Sequence, residues 1–244
     1  MLVTGASRGI GAATARLAAR RGFDVAVHAH RSLEAAEEVA ADVRATGRRA
    51  LLLCADVAHE AEVVALFAHL DSEWGRLDVL VNNAGILDTQ MPLAEMSGER
   101  IQRILDVNVL GSLLCAREAV RRIARSAGGE GGVIVNVSSG AARLGSPGEY
   151  IDYAASKGAI DTFTIGLAKE VASDGIRVSA VRPGVIDTEI HASGGEPDRP
   201  KRLRERIPTQ RPGTAQEVAE AILWLASDAA AYSHGSILDV TGGL

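Results

Sequence analysis

The chain has 244 residues, which is within reach of one large α/β domain with a sizeable core. Its 26 lysines and arginines stand against 31 aspartates and glutamates, and the net charge of −5 disfavours nonspecific binding to nucleic acid or to an anionic membrane. Cys54 and Cys115 lie in apolar stretches without a CxxC pattern or a histidine companion, so neither a disulfide framework nor a metal site is expected. No apolar run approaches the ~18 residues of a membrane span, and no secretion signal precedes the first motif, so a cytoplasmic protein is expected.

Seven short apolar runs of strand length recur along the chain. They cover residues 2–3, 25–27, 50–55, 79–81, 133–137, 178–181 and 237–240. Between them lie segments with helical spacing, such as 10–21 and 217–226. Consecutive apolar residues are typical of strands buried on both faces, and alternation of such strands with helices favours a parallel sheet. The sequence therefore predicts one domain over 1–244 with an α/β fold: a doubly wound, Rossmann-type, seven-stranded parallel sheet with helices on both faces, a three-layer sandwich.

The first strand is unusually short. Only Met1, Leu2 and Val3 precede Thr4, whereas the first strand of a doubly wound sheet is central and its neighbours need its backbone groups. Either the translated start lies upstream of Met1 or the fold tolerates a stub.

The segment TGASRGIG (4–11) joins this strand to a helical segment. Gly5, Gly9 and Gly11 allow the backbone to approach a pyrophosphate closely and to present free N–H groups to it. A strand before and a helix after predict a dinucleotide-binding turn, although the GxxxGxG spacing differs from the usual GxGxxG.

The same residues also read GxSxG, the nucleophile elbow of hydrolases, with Ser7 as nucleophile. Asp187 and His191 follow in the required order. Only six residues precede Ser7, however, so no upstream loop completes an oxyanion hole, and the hydrolase is disfavoured.

The end of the second strand indicates which dinucleotide is preferred. An acidic residue there would accept the ribose hydroxyls of NAD, but the sequence offers His30, Arg31 and Ser32. Arg31, helped by Arg8 of the glycine turn, predicts binding of a 2′-phosphate. NADP(H) is therefore the expected cofactor and NAD(H) the alternative; the simpler interpretation of Arg31 is the start of a solvated helix.

Tyr153 and Lys157 are four residues apart, which places them on one face of a helix. An ammonium beside a phenol would lower the pKa of the phenol and make it a usable general acid and base. Ser139, at the end of the fifth strand, is expected to donate to a carbonyl oxygen or alkoxide, whereas Ser138 faces the other way. The simpler interpretation of Tyr153 is an aromatic helix residue with a snorkelling lysine.

A Gly- and Pro-rich stretch, SGGEPDRP (193–200), follows the sixth strand. Loops in that position cover the ligands of such sheets. It predicts a lid over the substrate at about 189–210; a mobile linker is the alternative.

Six motifs occur in order along the chain. They are TGASRGIG (4–11), NNAG (82–85), VNVLG (107–111), VSS (137–139), YAASK (153–157) and PGVIDT (183–188). This set resembles that of the short-chain dehydrogenase/reductase family and covers essentially the whole chain. One departure is the 14-residue interval between Ser139 and Tyr153, one longer than is commonest in the family.

The resemblance implies specific roles. Tyr153 would be the general acid/base, Lys157 would bind the nicotinamide ribose and lower the tyrosine pKa, Ser139 would orient the carbonyl, and Asn108 would support a water relay. The residues expected to form the cofactor site are Gly5, Ser7, Arg8, Gly9, Ile10, Gly11, Arg31, Ser32, Asp56, Val57, Asn83, Ala84, Gly85, Tyr153, Lys157, Pro183, Gly184, Ile186 and Thr188. The family also implies a homotetramer in which helices at 97–126 and 153–172 pack between subunits.

The expected function is hydride transfer between NADP(H) and a small carbonyl or secondary alcohol. Polar residues near the presumed cleft suggest hydroxylated compounds such as sugars or polyols; they are Asp88, Thr89, Gln90, Glu149, Glu189 and His191. The alternative is a 3-oxoacyl thioester reductase whose Arg117, Arg121 and Arg125 dock an acidic carrier protein, although a solvated basic face is the favoured explanation of that spacing. A further alternative is a redox sensor that binds NADP(H) without turnover.

Overall fold

The computed structural model describes residues 1–244. The strands are β1 (Leu2–Val3), β2 (Val25–Ala29), β3 (Ala50–Cys54), β4 (Val79–Asn82), β5 (Gly132–Val137), β6 (Ile176–Pro183), β7 (Ile186–Asp187), β8 (Gly213–Thr214) and β9 (Ile237–Val240). The helices are α1 (Gly9–Arg20), α2 (Leu33–Ala45), α3 (Glu60–Trp74), α4 (Gly98–Leu105), α5 (Gly111–Ile123), α6 (Ala141–Leu144), α7 (Ile151–Val171), α8 (Ile190–Ser193), α9 (Arg199–Leu203) and α10 (Ala215–Ala226).

Seven strands form one sheet in the order β3-β2-β1-β4-β5-β6-β9, and every neighbouring pair is parallel. The chain builds outward from β1 to β3 and then returns to the other side of β1 with β4. This reversal defines a doubly wound sheet and opens a crevice at the carboxyl ends of β1 and β4. The predicted fold class and all seven strands are confirmed.

Each face of the sheet is covered by its own apolar layer. One core cluster joins the sheet to α1, α2 and α10, and the other joins it to α3, α5 and α7. Alternate residues of a strand point into opposite layers: Val3 belongs to the first cluster and Leu2 to the second. Strands buried in this way need apolar residues at successive positions, which explains their continuous apolar runs.

The short first strand is fully integrated in the sheet. Leu2 and Val3 pair with both β2 and β4, and the N–H of Thr4 continues the ladder by donating to the Val81 carbonyl at 3.0 Å. Leu2 and Val3 therefore join the two halves of the sheet.

Three local features differ from the expectation. The helix expected over 97–126 is divided by a π-helical segment, Asp106–Leu110, between α4 and α5. The short parallel pair β7–β8 was not anticipated, because two-residue strands carry no periodicity. The predicted lid contains the short helices α8 and α9.

No helix has the length and apolar character needed to span a membrane.

Candidate active site

Two loops meet at the crevice between β1 and β4, and hydrogen bonds lock them together. The Thr4 hydroxyl accepts from the N–H groups of Asn83 and Ala84, each at 3.0 Å. The Asn83 side-chain amide in turn donates to the carbonyl oxygens of Thr4 and Gly5, each at 2.9 Å. The glycine turn is thus fixed to the loop after β4 by the hydrogen bonds of the protein itself.

The glycines of the turn are required by its geometry. Gly5 and Gly9 have φ angles of +62° and +54°, which disfavour residues with a Cβ. A Cβ on Gly11 would lie 2.3 Å from the Gly5 carbonyl oxygen. No side chain caps the first turn of α1, so its N–H groups are available to an anion. These features fit a bound pyrophosphate.

His28 also supports the turn, and the sequence analysis did not identify it. It is 2% exposed, its Nδ1 accepts from the N–H of Gly5 at 3.1 Å, and its Nε2 lies 3.0 Å from the Ala55 carbonyl oxygen. Burial lowers the pKa of His28, which favours the neutral ring. A neutral ring with the proton on Nε2 offers the one acceptor and one donor that these partners need.

A cavity of about 600 Å³ extends from the glycine turn across the ends of β2 and β3. It is lined by most of the residues expected to form the cofactor site: Gly5, Ser7, Arg8, Gly9, Ile10, Arg31, Ser32, Asp56, Val57, Asn83, Ala84, Gly85 and Thr188. Gly11 lies behind this surface, where it allows the turn to close. Arg8 and Arg31 are exposed, and neither has an acidic side chain within ion-pair distance.

A second cavity of about 380 Å³ adjoins the first. Ile10, Asn83, Gly85 and Thr188 line both, so the two form one continuous crevice. The remaining predicted residues line this second part: Ser139, Tyr153, Lys157, Pro183, Gly184 and Ile186. The structure therefore brings three of the four predicted catalytic side chains, Ser139, Tyr153 and Lys157, to the inner end of the expected cofactor cleft.

Tyr153 and Lys157 share one face of α7, as their spacing predicts. Lys157 Nζ lies 5.6 Å from the centroid of the Tyr153 ring and donates to the Val137 carbonyl oxygen at 2.8 Å. Lys157 is 4% exposed, and burial lowers the pKa of its ammonium group to about 8. The lysine is therefore held by the end of β5 and carries its charge at neutral pH.

The pKa of Tyr153 departs from the expectation. Burial raises the pKa of its hydroxyl, while hydrogen bonding with Ser139 and the positive charge of Arg199 act in the opposite direction. Lys157 was predicted to lower this pKa. The net direction is upward, because desolvation of the phenol outweighs these two influences, and Lys157 is not among them.

The two serines after β5 have different partners. The Ser138 hydroxyl donates to the Lys157 carbonyl oxygen at 3.2 Å and is 2% exposed, so it serves the packing of α7 on the sheet. The Ser139 hydroxyl accepts from the N–H of Ala141 at 3.1 Å and remains free to donate. Ser139 is the serine that lines the cavity beside Tyr153 and lowers the pKa of its hydroxyl, as expected from the alternation of side chains along a strand.

Asn108 sits in the π-helical segment and is completely buried. Its side chain accepts from the N–H of Ile86 at 2.8 Å and donates to the Ile86 carbonyl at 3.0 Å and to the Ser156 hydroxyl at 3.1 Å. Asn108 borders neither part of the crevice. Asn108 clamps the loop after Gly85 to α7, and its support of a water relay stays a prediction.

A buried ion pair lies beside Tyr153. Arg100 Nε is 2.8 Å from Asp152 Oδ2, and their side chains are 7% and 1% exposed. Asp152 Oδ1 also accepts from the Tyr153 N–H at 2.9 Å. The pair joins α4 to the start of α7 and so fixes the position of Tyr153. Its members are 52 residues apart, and no sequence motif contains them.

The segment predicted as a lid contributes a cluster of polar side chains, only some of which were predicted from the sequence. Arg199 Nη2 is 2.6 Å from Glu149 Oε2, and the Arg199 guanidinium lies 5.4 Å from the Tyr150 ring centroid. Glu149 and His191, expected near the cleft, do line the second cavity together with Arg199. Of the other polar residues expected there, Asp88 and Glu189 line the first cavity, and Thr89 and Gln90 line neither.

The hydrolase alternative has no support in the geometry. His191 Nε2 lies 2.8 Å from the Ile186 carbonyl oxygen and makes no hydrogen bond with Ser7. Ser7 therefore lacks the adjacent base that a serine nucleophile needs. No group of three or more histidine, cysteine or acidic side chains is placed to hold a metal ion.

Comparison with known proteins identifies the family. A family model described as enoyl-(acyl carrier protein) reductase matches residues 5–244. The chain is 57% identical to the uncharacterized oxidoreductase YgfF of Escherichia coli K12 over 99% of this chain and 98% of that protein. It is 43% identical to cis-4-hydroxycyclohexanecarboxylate dehydrogenase of Sinomonas cyclohexanicum (99% and 94% covered) and 40% identical to a 3-oxoacyl-[acyl-carrier-protein] reductase of Synechocystis (100% and 95% covered).

Solved structures give the same result. A short-chain dehydrogenase from Burkholderia cenocepacia, in complex with NADP, superposes with a TM-score of 0.90 at 34% identity (99% and 96% of the two chains covered). A 3-ketoacyl-(acyl-carrier-protein) reductase from Brucella melitensis, complexed with NADH, superposes with a TM-score of 0.91 at 34% identity and the same coverage. The chain belongs to the short-chain dehydrogenase/reductase family. It is accordingly an oxidoreductase of alcohol and carbonyl groups.

Proposed function

We propose that this short-chain dehydrogenase/reductase transfers a hydride reversibly between NADP(H) and a small secondary alcohol or carbonyl compound, with Tyr153 as general acid and base. One observation carries the proposal: Ser139, Tyr153 and Lys157 line a cavity that is continuous with the glycine-turn cleft. A nicotinamide cofactor, when bound, supplies or accepts the hydride, and the protein supplies position and the proton.

Each residue of the site has a separate role in the proposed reaction. Tyr153 gives its hydroxyl proton to the carbonyl oxygen in reduction and takes it back in oxidation. Ser139 donates a hydrogen bond to the same oxygen and stabilises the charge that develops there. Lys157 is anchored on the Val137 carbonyl, and its remaining donors would hold the ribose of the cofactor. Asn108 acts indirectly, because it holds the loop at Gly85 against α7.

NADP(H) is the preferred cofactor in this proposal. Arg31 and Arg8 line the cleft without acidic partners, so both are free to pair with a 2′-phosphate. The relatives of known structure were solved with NADP in one case and NADH in the other, and NAD(H) remains the alternative.

A 3-oxoacyl thioester reductase is the second candidate, favoured by the relatives named for that activity. The basic face expected to dock a carrier protein gives it little support. Arg117 Nη1 lies 2.7 Å from Glu60, and Arg121 Nη1 lies 2.8 Å from Glu118. With two of the three arginines neutralised and Arg125 unpaired, this face offers a weak attraction to an acidic partner. We therefore favour a small free substrate.

Residues 189–210 would act as the lid of a single domain. Ile190, His191, Arg199 and Leu203 line the inner cavity from this segment. Ion pairs from Arg199 and Arg202 to Glu149 hold it against the body of the domain. Rupture of these contacts would admit substrate and release product.

A homotetramer remains part of the proposal. Exposed apolar side chains occur on the helices expected to pack between subunits; they are Leu105, Leu110, Leu113, Ile151 and Ile165. A second copy of the chain would remove these side chains from water. Light scattering coupled to size exclusion, with a mass near four chains as the expected result, tests this point.

An activity screen tests the function. The protein is assayed with NADP(H) and NAD(H) against sugars, polyols, cyclic secondary alcohols including cis-4-hydroxycyclohexanecarboxylate, and a 3-oxoacyl thioester. Faster turnover of a small alcohol or ketone with NADP(H) is expected. Preference for the thioester would favour the second candidate, and cofactor binding without turnover across the panel would favour the redox sensor.

A further inference from the structure

The inner cavity carries a positive charge although the whole chain is negative. Its charged lining side chains are three cations, Lys157, Arg199 and Arg206, and one carboxylate, Glu149. Leu244 also lines it, and counting its terminal carboxylate still leaves the lining positive. The chain as a whole carries −5. A cationic pocket in an acidic protein attracts anions selectively.

Arg199 has hydrogen-bonding capacity to spare. Its Nη2 is engaged by Glu149 at 2.6 Å, but its Nε is buried and has no acceptor; the nearest acidic atom, Glu196 Oε2, is 4.0 Å away. Glu196 is already bound by Arg202 and Gln90. A buried N–H of a charged guanidinium without an acceptor costs free energy, which an anionic ligand would recover.

Two further atoms support a polar ligand at this end of the cavity. Arg206 lines it and has no ion-pair partner. His191 is 6% exposed, and its Nδ1 has no hydrogen-bond partner. Apolar side chains, including Leu144, Val185 and Leu203, form much of the remaining wall. The cavity thus suits a compact molecule with an apolar body and an anionic group near the lid.

We propose that this enzyme selects substrates that carry a carboxylate, which Arg199 and Arg206 bind while Tyr153 and Ser139 hold the reacting oxygen. The substrate class is then a hydroxy acid or oxo acid. This inference rests on the proposed function of the same cavity. Because Arg199 belongs to the lid, a bound carboxylate would also hold the lid over the substrate.

The test compares acids with matched neutral molecules. The probes are 4-oxopentanoate, 5-oxohexanoate and 4-oxocyclohexanecarboxylate, each beside its methyl ester, with NADPH as the reductant. We expect at least one acid to exceed its ester by about tenfold or more in kcat/KM, mainly through KM. Arg199→Gln should abolish that preference, so that acid and ester are turned over with similar kcat/KM, and Arg199→Lys should restore part of it. Lys201→Gln removes the same charge from the same helix, outside the cavity, and should keep the preference.

A binding measurement separates this inference from the proposed function. Calorimetry of the protein saturated with NADP⁺ compares cyclohexanecarboxylate with cyclohexanecarboxamide, neither of which needs turnover. Stronger binding of the carboxylate, lost in Arg199→Gln, supports the inference even if no probe is reduced, in which case only the proposed function fails.

Equal binding of the two probes overturns the inference, as does an acid preference that survives both Arg199→Gln and Arg206→Gln. If Arg199→Gln does not fold, the exposed Arg206 keeps the test decisive: Arg206→Gln should weaken the carboxylate preference severalfold, and an unchanged preference counts against the inference.

Discussion

Lys157 lies over the ring of Tyr153, with its Nζ 5.6 Å from the ring centroid, and its ammonium is held by the Val137 carbonyl at 2.8 Å. The contact is with the face of the ring, and the charge is buried almost completely. An ammonium in that position lowers the stability of the fold, because burial disfavours its charged form. We infer that the charge is retained for function.

The cost of this buried charge is measurable. The pKa of Lys157 is lowered by burial to about 8, below its usual value of 10.5. Such a group binds fewer protons in the folded than in the unfolded chain between those two values, so stability rises with pH across that window. Lys157→Met should therefore raise the free energy of unfolding by up to ~3 kcal/mol at pH 7, less the lost bond to Val137, while activity collapses.

Urea unfolding at pH 7 and pH 10 checks this prediction. The gain should shrink at the higher pH, because the wild-type lysine has then already released its proton. Lys169→Met makes the same change at an exposed position of α7 and should give no comparable gain. A gain that is equal at both pH values, or equal for the two variants, would count against a buried ammonium.

Cofactor preference depends on Arg31 in this account. Arg31→Gln should weaken NADP(H) binding by about 10- to 100-fold, which corresponds to the free energy of one hydrogen bond to a charged group. NAD(H) binding should stay nearly unchanged. Fluorescence titration with both reduced cofactors measures the two affinities. Arg44→Gln, which removes a charge from α2 outside the cleft, is the control and should affect neither. Equal losses for both cofactors would show that Arg31 does not recognise the phosphate.

The glycine turn should tolerate no side chain at Gly11. Gly11→Ala would place a Cβ 2.3 Å from the Gly5 carbonyl oxygen and 2.5 Å from Asn83 Nδ2. Both partners belong to the network that joins the two loops, so we expect a loss of roughly 1–3 kcal/mol in stability and loss of cofactor binding. Gly98→Ala, in the open first turn of α4, should change stability by less than ~1 kcal/mol. Thermal unfolding with and without NADP(H) compares the two variants.

Much of this site was predictable from the sequence because its motifs are local. Gly5, Gly9 and Gly11 are close in sequence and perform one task, and Tyr153 and Lys157 meet through the period of one helix. Strand runs such as 25–27 were equally clear, since burial on both faces leaves a continuous apolar signal.

The residues that were missed act through long-range contacts. His28 hydrogen bonds with Gly5 of the glycine turn and with the carbonyl of Ala55, just after β3. Arg199 pairs with Glu149, 50 residues away in sequence. The π-helical turn at Asn108 depends on the hydrogen bonds of its side chain with Ile86. The hydrophobic periodicity of the sequence does not reveal such long-range pairings. The pKa of Tyr153 was predicted in the wrong direction because spacing shows a neighbouring charge but not the desolvation of the phenol.

Arg100 and Asp152 should stabilise the fold only when both are present, because each neutralises the buried charge of the other. Arg100→Met leaves the Asp152 carboxylate buried without a countercharge, and we expect a loss of about 3–5 kcal/mol in the free energy of unfolding. The double variant Arg100→Met/Asp152→Asn should recover part of that loss. Denaturant unfolding of both variants measures the coupling, and additive losses would show that the two side chains act independently.

The most direct test of the account is the kinetics of Tyr153→Phe, which removes one hydroxyl from the inner cavity. If Tyr153 is the general acid and base, kcat falls by about a hundredfold or more on any substrate found in the screen. The affinity for NADPH stays within about threefold of the wild type. Ser139→Ala should reduce turnover by a smaller factor. Turnover that is unchanged in Tyr153→Phe, with the cofactor still bound, would contradict the assignment of the acid and base.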